Sequence, residues 1–260
     1  MAKIYYLYFF NLVLCIVVSV YYLKIFEFNR GVWVEMLMLQ AIIPYGRCYN
    51  FPMWYLSAML FVEWIYASVL RCEKDLCYKL VAPMLAIIAY AGFFTSVGDL
   101  NVSSSQVFSG MTNGIVLALA GISTGVLLYY LNDTVQKKIS RNISCILEIL
   151  LSLIVIVAMI FGEGRNRFDF IILLLLGVLI FSAVHNDSAL NCFLDGNWLK
   201  NVQDLSVNIY FNHAAIQYLV VCSFQGLTIC EKMIAFFVLV FAESIVTNKL
   251  LYKKGKEKFD

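Results

Sequence analysis

Long apolar stretches alternate with short polar gaps along almost the whole chain. A bilayer core about 30 Å thick is crossed by about 20 residues of α-helix, so each stretch is long enough to span it. The pattern predicts an all-α bundle of about eight transmembrane helices, at 4–23, 52–70, 79–97, 113–131, 142–161, 168–184, 206–223 and 229–249. Residues 32–44 are apolar but too few to cross, so we expect an interfacial or re-entrant piece closed by Pro44.

Basic residues are concentrated in every second gap between these stretches. With the N-terminus inside, the inside gaps and the C-terminal end hold 13 of the 19 Lys and Arg residues. Because basic residues are retained on the cytosolic side, this asymmetry predicts that both termini are cytosolic. We therefore expect one transmembrane domain over residues 1–250 and a basic cytosolic tail over 251–260 that meets anionic membrane lipid.

The composition supports a lipid environment and excludes several classes of protein. Apolar residues make up 62% of the chain and charged residues 14%, whereas soluble domains have about 45–50% and about 25%. The net charge of +2 is too small to favour nucleic acid as a partner. Residues 1–24 lack a small-residue cleavage site and are predicted to be a retained span. The eight cysteines lack zinc or redox spacing, so we expect no bound metal.

Four polar residues, named here the His213 stripe, fall on one side of the predicted span 206–223. Ser206, Tyr210, His213 and Gln217 are separated by steps of 4, 3 and 4, which places them within about 60° of one another on a helix. A polar stripe does not face lipid favourably, so we predict that these side chains line a polar substrate cavity. The alternative is that His213 is a hydrogen-bonded packing residue.

The predicted span 52–70 adds two candidates. Trp54 lies in its first turn, where an aromatic residue suits the membrane interface. Glu63 lies in mid-span, where a carboxyl group needs a partner or a proton. We predict that both line the cavity, with the alternative that Glu63 joins two helices through a hydrogen bond. Glu148 and Glu243 lie nearer the ends of their spans and are expected to be solvated.

Two further features are expected to have no chemical role. Gly110, Gly114, Gly121 and Gly125 fall on one side of a helix, and small residues at such spacing let neighbouring helices approach closely. His185 begins a polar gap on the predicted cytosolic side and is expected to be solvated.

Two segments together resemble the acyltransferase type 3 family. Residues 51–60, FPMWYLSAML, resemble the opening of one of that family's spans, and residues 205–213, LSVNIYFNH, resemble part of its penultimate span. Members are integral membrane proteins of ten helices that move acyl groups, commonly acetyl from acetyl-CoA, onto sugars. The resemblance covers about residues 50–250 and implies O-acetylation in a bacterial inner membrane. The implied donor is acyl-CoA, and the implied acceptor is a cell-surface polysaccharide or lipid-linked sugar.

One feature of the family is missing from the chain. Its first helix carries a basic residue followed, after ten others, by a histidine proposed as the catalytic base, whereas Leu174 and Val202 stand eleven positions before the two histidines here. His213 matches a different histidine of the family, so no catalytic residue is assigned. The first span resembles the family's third helix, so the chain resembles an acyltransferase lacking two helices. The resemblance implies that Lys3, which precedes that span, contacts acyl-CoA.

Two other functions stay open. A transporter or flippase of a polar or lipid-linked solute would use Glu63 and the His213 stripe as its path, although the chain shows no inverted repeat of the kind found in many transporters. A non-catalytic membrane scaffold or remnant would use His213 for stability alone.

Overall fold

The computed structural model describes residues 2–23, 30–43, 49–102, 107–135, 139–161, 166–185, 190, 193 and 196–249. Within these ranges the side chains of a few residues near helix ends, Lys3 among them, lie outside the description. Every regular element in the described part of the chain is helical, which confirms the predicted all-α fold.

The long helices follow the predicted spans. In chain order the helices are α1 (Ala2–Leu23), the short α2 (Arg30–Met36), α3 (Trp54–Cys72), α4 (Lys74–Ser96), α5 (Asn113–Thr134), α6 (Arg141–Phe161), α7 (Phe168–His185), α8 (Asn197–Ser223) and α9 (Ile229–Thr247). A 3-10 turn, Phe51–Met53, leads into α3, and α4 contains a π-helical turn at Cys77–Val81.

Six of these helices, α1 and α3 to α7, are long and apolar enough to cross a membrane. They indicate a membrane protein, and they correspond to the first six predicted spans. The other two long helices are more polar. α8 carries polar residues along its length, and α9 contains three charged residues, Glu231, Lys232 and Glu243.

Local capping explains where two of the helices begin. Before α5, the Thr112 hydroxyl oxygen accepts a hydrogen bond from the Ile115 N–H at 3.4 Å. At the start of α9, the Thr228 hydroxyl oxygen accepts from the Glu231 N–H, and the Glu231 carboxylate accepts from the Thr228 N–H at 2.8 Å. This reciprocal capping box satisfies two N–H groups that the helix itself leaves unpaired. Both helices begin at the predicted residues, 113 and 229.

The chain divides into two compact units, of which the first comprises residues 1–54 and 197–260. In this unit α8 packs against both α1 and α9, and the 3-10 turn packs on α8. α2 has only seven residues and is too short to cross a membrane. It ends in a turn in which Met38 has a φ of 53°. Pro44, the predicted end of this piece, lies outside the described residues.

The second unit comprises residues 55–196. Here α4 packs against α5, α6 packs against α7, and α5 also contacts α7. The buried core between α4 and α5 consists of Ala89, Phe93, Val116 and Ala120. The alanines allow the two helices to approach closely, so that the Phe93 ring is completely buried between them.

The predicted packing role of the glycines is wrong for three of the four. Gly110 precedes α5 and has a φ of 85°, which a glycine adopts more readily than any residue with a side chain. Gly121 and Gly125 lie within α5, but no described atom is within 4 Å of the position where a Cβ would project. The close approach occurs instead through the alanine side of α5, including Ala120.

Gly92 on α4 is the glycine where added volume has a consequence. A Cβ there would lie 2.7 Å from Val107 Cγ1 and 2.8 Å from Phe108 Cζ. We expect Gly92→Ala to lower the free energy of unfolding by about 1–3 kcal/mol, as overpacking does. Gly121→Ala, in open space, is the matched control and should be neutral or stabilising, because alanine favours a helix over glycine by about 1 kcal/mol. Denaturant unfolding of the purified chain in detergent measures both, and equal stabilities would contradict the packing at Gly92.

Candidate functional site

The first unit encloses a group of polar side chains within its apolar helices. Each is at least nine-tenths buried, and they come from α1, from α2 and the segment that follows it, and from α8. This group, named here the Glu35 cluster, consists of Tyr8, Asn11, Glu35, Gln40, Tyr49, Asn50, Asn208 and Asn212. Buried polar side chains in an apolar protein mark either a structural hydrogen-bond network or a binding site.

The Glu35 carboxylate fixes the backbone just before the 3-10 turn. Its Oε2 atom accepts a hydrogen bond from the Tyr49 N–H at 3.1 Å, and its Oε1 atom accepts one from the Asn50 N–H at 3.0 Å. The carboxylate is completely buried, so these bonds take the place of its hydration. Asn50 immediately precedes the turn Phe51–Met53, and Glu35 therefore sets the path of the chain into α3.

Tyr8 connects α1 to the same centre. Its hydroxyl donates to the Glu35 backbone carbonyl and accepts a hydrogen bond from the Gln40 side-chain amide at 3.1 Å. Its ring meets the Phe211 ring of α8 edge to face, with 6.4 Å between the ring centroids. Such aromatic pairs contribute about 0.5–1.5 kcal/mol beyond the area that they bury. Tyr8 therefore joins α1, α2 and α8 around one polar centre.

Several side-chain amide atoms of the Glu35 cluster have no hydrogen-bond partner among the described residues. These atoms are Asn11 Oδ1, Gln40 Oε1, and the side-chain oxygens and nitrogens of Asn50 and Asn212. A buried polar group left unsatisfied costs about 1–3 kcal/mol. Such a concentration of open donors and acceptors is typical of a place that holds water or a polar ligand. Since the open groups are neutral amides, they suit neutral hydroxyl groups better than ions.

The His213 stripe and the buried face of α8 lie on opposite sides of the helix. The buried face consists of Asn208, Phe211, Asn212 and Ala215. At about 100° per residue, its centre is about 180° from the centre of the stripe. Accordingly, Ser206 and Gln217 are exposed, whereas Tyr210 and His213 are half-buried. The polar residues nearest the centre of the first unit are therefore the asparagines, which the stripe does not include.

The Tyr210 hydroxyl donates a hydrogen bond of 2.7 Å to the Pro52 carbonyl oxygen. Pro52 lies in the 3-10 turn and Tyr210 lies in α8, 158 residues later in the chain. This bond joins the first residues of segment 51–60 to segment 205–213, and these two segments carry the family resemblance. The two segments therefore meet in the structure at this point.

The position of the His213 ring determines which of its nitrogens is available. Its Nδ1 atom lies 2.6 Å from the Tyr210 carbonyl oxygen, which can only accept a hydrogen bond. We therefore assign the proton to Nδ1, which leaves Nε2 with a lone pair. No described residue is hydrogen-bonded to Nε2, so this half-buried ring can accept a hydrogen bond from a hydroxyl group of a ligand.

The remaining predicted site residues are dispersed. Gln217 lines an open groove of about 340 Å³ between α8 and α9, together with Val220, Lys232 and Phe236. Trp54 is half-buried at the start of α3, and Glu63 is exposed in the middle of α3. The side chain of Lys3 lies outside the described residues, so its predicted contact with acyl-CoA stays a prediction, as does the lining of a single cavity by these residues.

Glu148 and His185 in the second unit are buried, which corrects the prediction that they are solvated. Glu148 on α6 is 2% exposed, and its Oε1 atom accepts hydrogen bonds from the Ser144 and Ser182 hydroxyls, both at 2.9 Å. His185 is 8% exposed at the end of α7, with its Nδ1 atom 3.0 Å from Asn132 Oδ1. Their positions near helix ends suggested solvation, but the packing of α6 against α7 covers Glu148.

Neither a metal site nor a match to a known protein identifies the function of this chain. Within the described residues, no group of three or more His, Cys, Asp and Glu side chains is placed to hold a metal ion. No protein-family model matches the chain, and no curated protein or solved structure matches it.

Replacement of Glu35 tests whether its carboxylate holds the turn. Glu35→Gln keeps one accepting oxygen but places an NH₂ group against a backbone N–H, so one buried donor loses its partner. We expect the free energy of unfolding to fall by about 1–3 kcal/mol or more. Unfolding of the purified chain in detergent measures the change.

The matched control for this replacement is Glu73→Gln, because Glu73 is exposed and its side chain makes no capping bond. Its effect should stay within about 0.5 kcal/mol, as for most surface substitutions. If both variants unfold like the unaltered chain, Glu35 does not hold the turn.

Proposed function

We propose that this protein is an integral membrane O-acyltransferase that moves acetyl from acyl-CoA to a hydroxyl group of a cell-surface or lipid-linked sugar, in the inner membrane of a bacterium. The observation that carries the proposal is the hydrogen bond from Tyr210 to the Pro52 carbonyl. It brings together the two sequence segments that resemble the acyltransferase type 3 family, as expected if both belong to one site.

The site has features that suit a sugar acceptor. The open amides of the Glu35 cluster offer both donors and acceptors, which hydroxyl groups can satisfy together. On the opposite side of α8, the Nε2 of His213 offers a separate hydrogen-bond acceptor beside Tyr210. His213 is proposed to orient the acceptor rather than to remove its proton, because it does not match the base of the family.

The transfer step itself needs a base for the sugar hydroxyl, and general base catalysis typically contributes about 10²–10⁴-fold. It also needs donors for the oxyanion that develops on the acyl carbonyl. The pattern of a basic residue, ten others and a histidine is absent from residues 1–260. The activity test below therefore uses the reading frame together with its upstream coding sequence.

The proposal includes eight membrane crossings with both termini in the cytosol. In this proposal, α8 and α9 make the seventh and eighth crossings, after the six made by the most apolar helices. The polar side chains of α8 are compatible with a membrane position because those of its inner face pack against α1 rather than against lipid. The basic residues in every second gap support this orientation.

Cysteine labelling tests the orientation. Ser109 and Ser140 are exposed and lie in gaps that the proposal places on opposite sides of the membrane. On intact cells, a membrane-impermeant maleimide should label Ser109→Cys above the background of the unaltered chain. It should label the matched variant Ser140→Cys only after the cells are permeabilised. The reverse result would invert the topology, and labelling of both on intact cells would remove the crossing by α5.

Measurement of ester-linked acetyl groups on surface glycan, in a deletion strain complemented by the gene, tests the activity. The extended reading frame should restore acetylation. Tyr210→Phe, which lacks the bond to Pro52, should lower it by about 10- to 100-fold, because small displacements of positioning groups have effects of that size. Tyr6→Phe is the matched control, since Tyr6 is 69% exposed, and should acetylate normally. Absence of transfer by the extended frame would remove the enzyme proposal.

The buried carboxyl group of Glu148 favours a second candidate, a transporter or flippase. Ionisable residues within membrane-crossing helices often mark the path of a solute or ion. Glu63, the carboxyl group first predicted for this path, is exposed, whereas Glu148 is enclosed between α6 and α7. Solute uptake that depends on Glu148, in cells that show no acetyl transfer, would decide for this candidate.

A further inference from the structure

Three side-chain oxygens meet in the second unit, between α6 and α7. Glu148 Oε1 lies 2.9 Å from Ser144 Oγ and 2.9 Å from Ser182 Oγ, and the two hydroxyl oxygens are 3.3 Å apart. We propose that Glu148, Ser144 and Ser182 form a binding site for a single sodium ion. The site goes beyond the proposed acyl transfer and does not depend on it.

The first reason is that one carboxylate oxygen is unused. Glu148 Oε2 is buried and has no hydrogen-bond partner among the residues that the structure describes. The only ion pair within the described part of the chain joins Lys79 and Asp75, so no described cation neutralises Glu148. An isolated buried carboxylate is strongly unfavourable in apolar surroundings. A cation bound by both carboxylate oxygens and by the two serine oxygens would supply the missing partner of Oε2 and the missing charge.

A proton on Glu148 Oε2 would stabilise the site less than a bound cation would. A proton on Oε2 would remove the negative charge, but the resulting hydroxyl would have no acceptor among the described residues. A buried donor in that state costs about 1–3 kcal/mol. A cation avoids this cost because it needs only the lone pairs that the carboxylate and the two serine hydroxyls present.

The charge and size of the site select the cation. One carboxylate balances one positive charge, so a divalent ion would leave a net charge buried in apolar surroundings. Ca²⁺ takes oxygen ligands at about 2.3–2.6 Å, and Na⁺ has nearly the same ionic radius. Glu148 Oε1 and the two serine Oγ atoms are 2.9–3.3 Å apart, a spacing that an ion of that size can share, whereas K⁺ needs a wider ring of ligands. Water can complete the coordination.

The position of the site in the helices is also favourable for a cation. Ser182 is in the last turn of α7, where the final carbonyl groups have no partner within the helix and the helix dipole is negative. Ser144 is in the first turn of α6, and Glu148 is about 10 Å along that helix from its start. The ion would therefore reach the site from the end of the helix pair rather than through the middle of the membrane.

The test is thermal unfolding of the purified chain of residues 1–260 in detergent, in NaCl, KCl or choline chloride at equal ionic strength. A ligand that binds only the folded state raises Tm. We therefore expect a higher Tm in NaCl than in KCl or choline chloride, by on the order of 5 °C when the Na⁺ concentration is about 100 times its Kd. Ser182→Ala and Glu148→Gln should abolish this increase. The matched controls Ser68→Ala and Glu73→Gln, at exposed positions, should retain it.

Each other outcome would overturn the proposal. Equal Tm values in the three salts would leave Glu148 as a hydrogen-bonded packing residue. An equal rise of Tm in KCl would remove the assignment of sodium. A rise of Tm in NaCl that persists in the site variants would place the ion elsewhere. If Glu148→Gln does not fold, Ser182→Ala decides, because Ser182 has a small side chain at the edge of the buried site. Binding of radioactive ²²Na⁺ to the same samples provides a second readout, expected at one ion per chain.

Discussion

Apolar side chains cover the outside of the helices, and this exposure sets the conditions for the rest of the structure. On α6, for example, Ile146, Ile149 and Ile160 are all at least 60% exposed. In water, apolar surfaces this extensive drive association. Between lipid tails the same surfaces are favourable, and it is polar groups that become expensive. The arrangement of the polar side chains is therefore the informative part of this molecule.

Two buried carboxyl groups, Glu35 and Glu148, are held in different ways. In the first unit, both oxygens of Glu35 accept backbone N–H groups, so the side chain acts as a fixed part of the chain's path into α3. In the second unit, only one oxygen of Glu148 is used, and its partners are hydroxyl groups that can rotate. The first arrangement is complete as it stands and is architectural. In the second, Glu148 Oε2 has no hydrogen-bond partner among the described residues, so the carboxylate can still bind a ligand.

The sequence was a good guide to the helices because their signals are local. The starts of α5 and α9 follow from a threonine cap and a capping box, and hydropathy located the other spans to within a few residues. The start of α8 was missed by nine residues, since the first turns of that helix are polar and carry no hydropathy signal.

The sites were harder to predict because helical periodicity does not show which face is buried. α8 has polar residues on two opposite sides, and the His213 stripe contained more of them than the face with Asn208 and Asn212. Two features of the sequence could have located the buried polar residues. One is the spacing of four between Asn208 and Asn212, and the other is Glu35, a lone carboxyl group in an apolar segment. The partnership of Glu148 with Ser182 was not readable, because it depends on how α6 packs against α7.

The first unit is built from the two ends of the chain, and this has a consequence for its biogenesis. α1 leaves the ribosome early, but its packing partner α8 emerges only after residues 55–196 have been made. At about 5–20 residues per second, that interval lasts roughly 7–30 s. During translation Tyr8 and Asn11 must therefore sit in the lipid, or in the insertion machinery, without the helix that later covers them. Until α8 is made, the polar side chains of nascent α1 therefore lack the cover that they have in the finished unit.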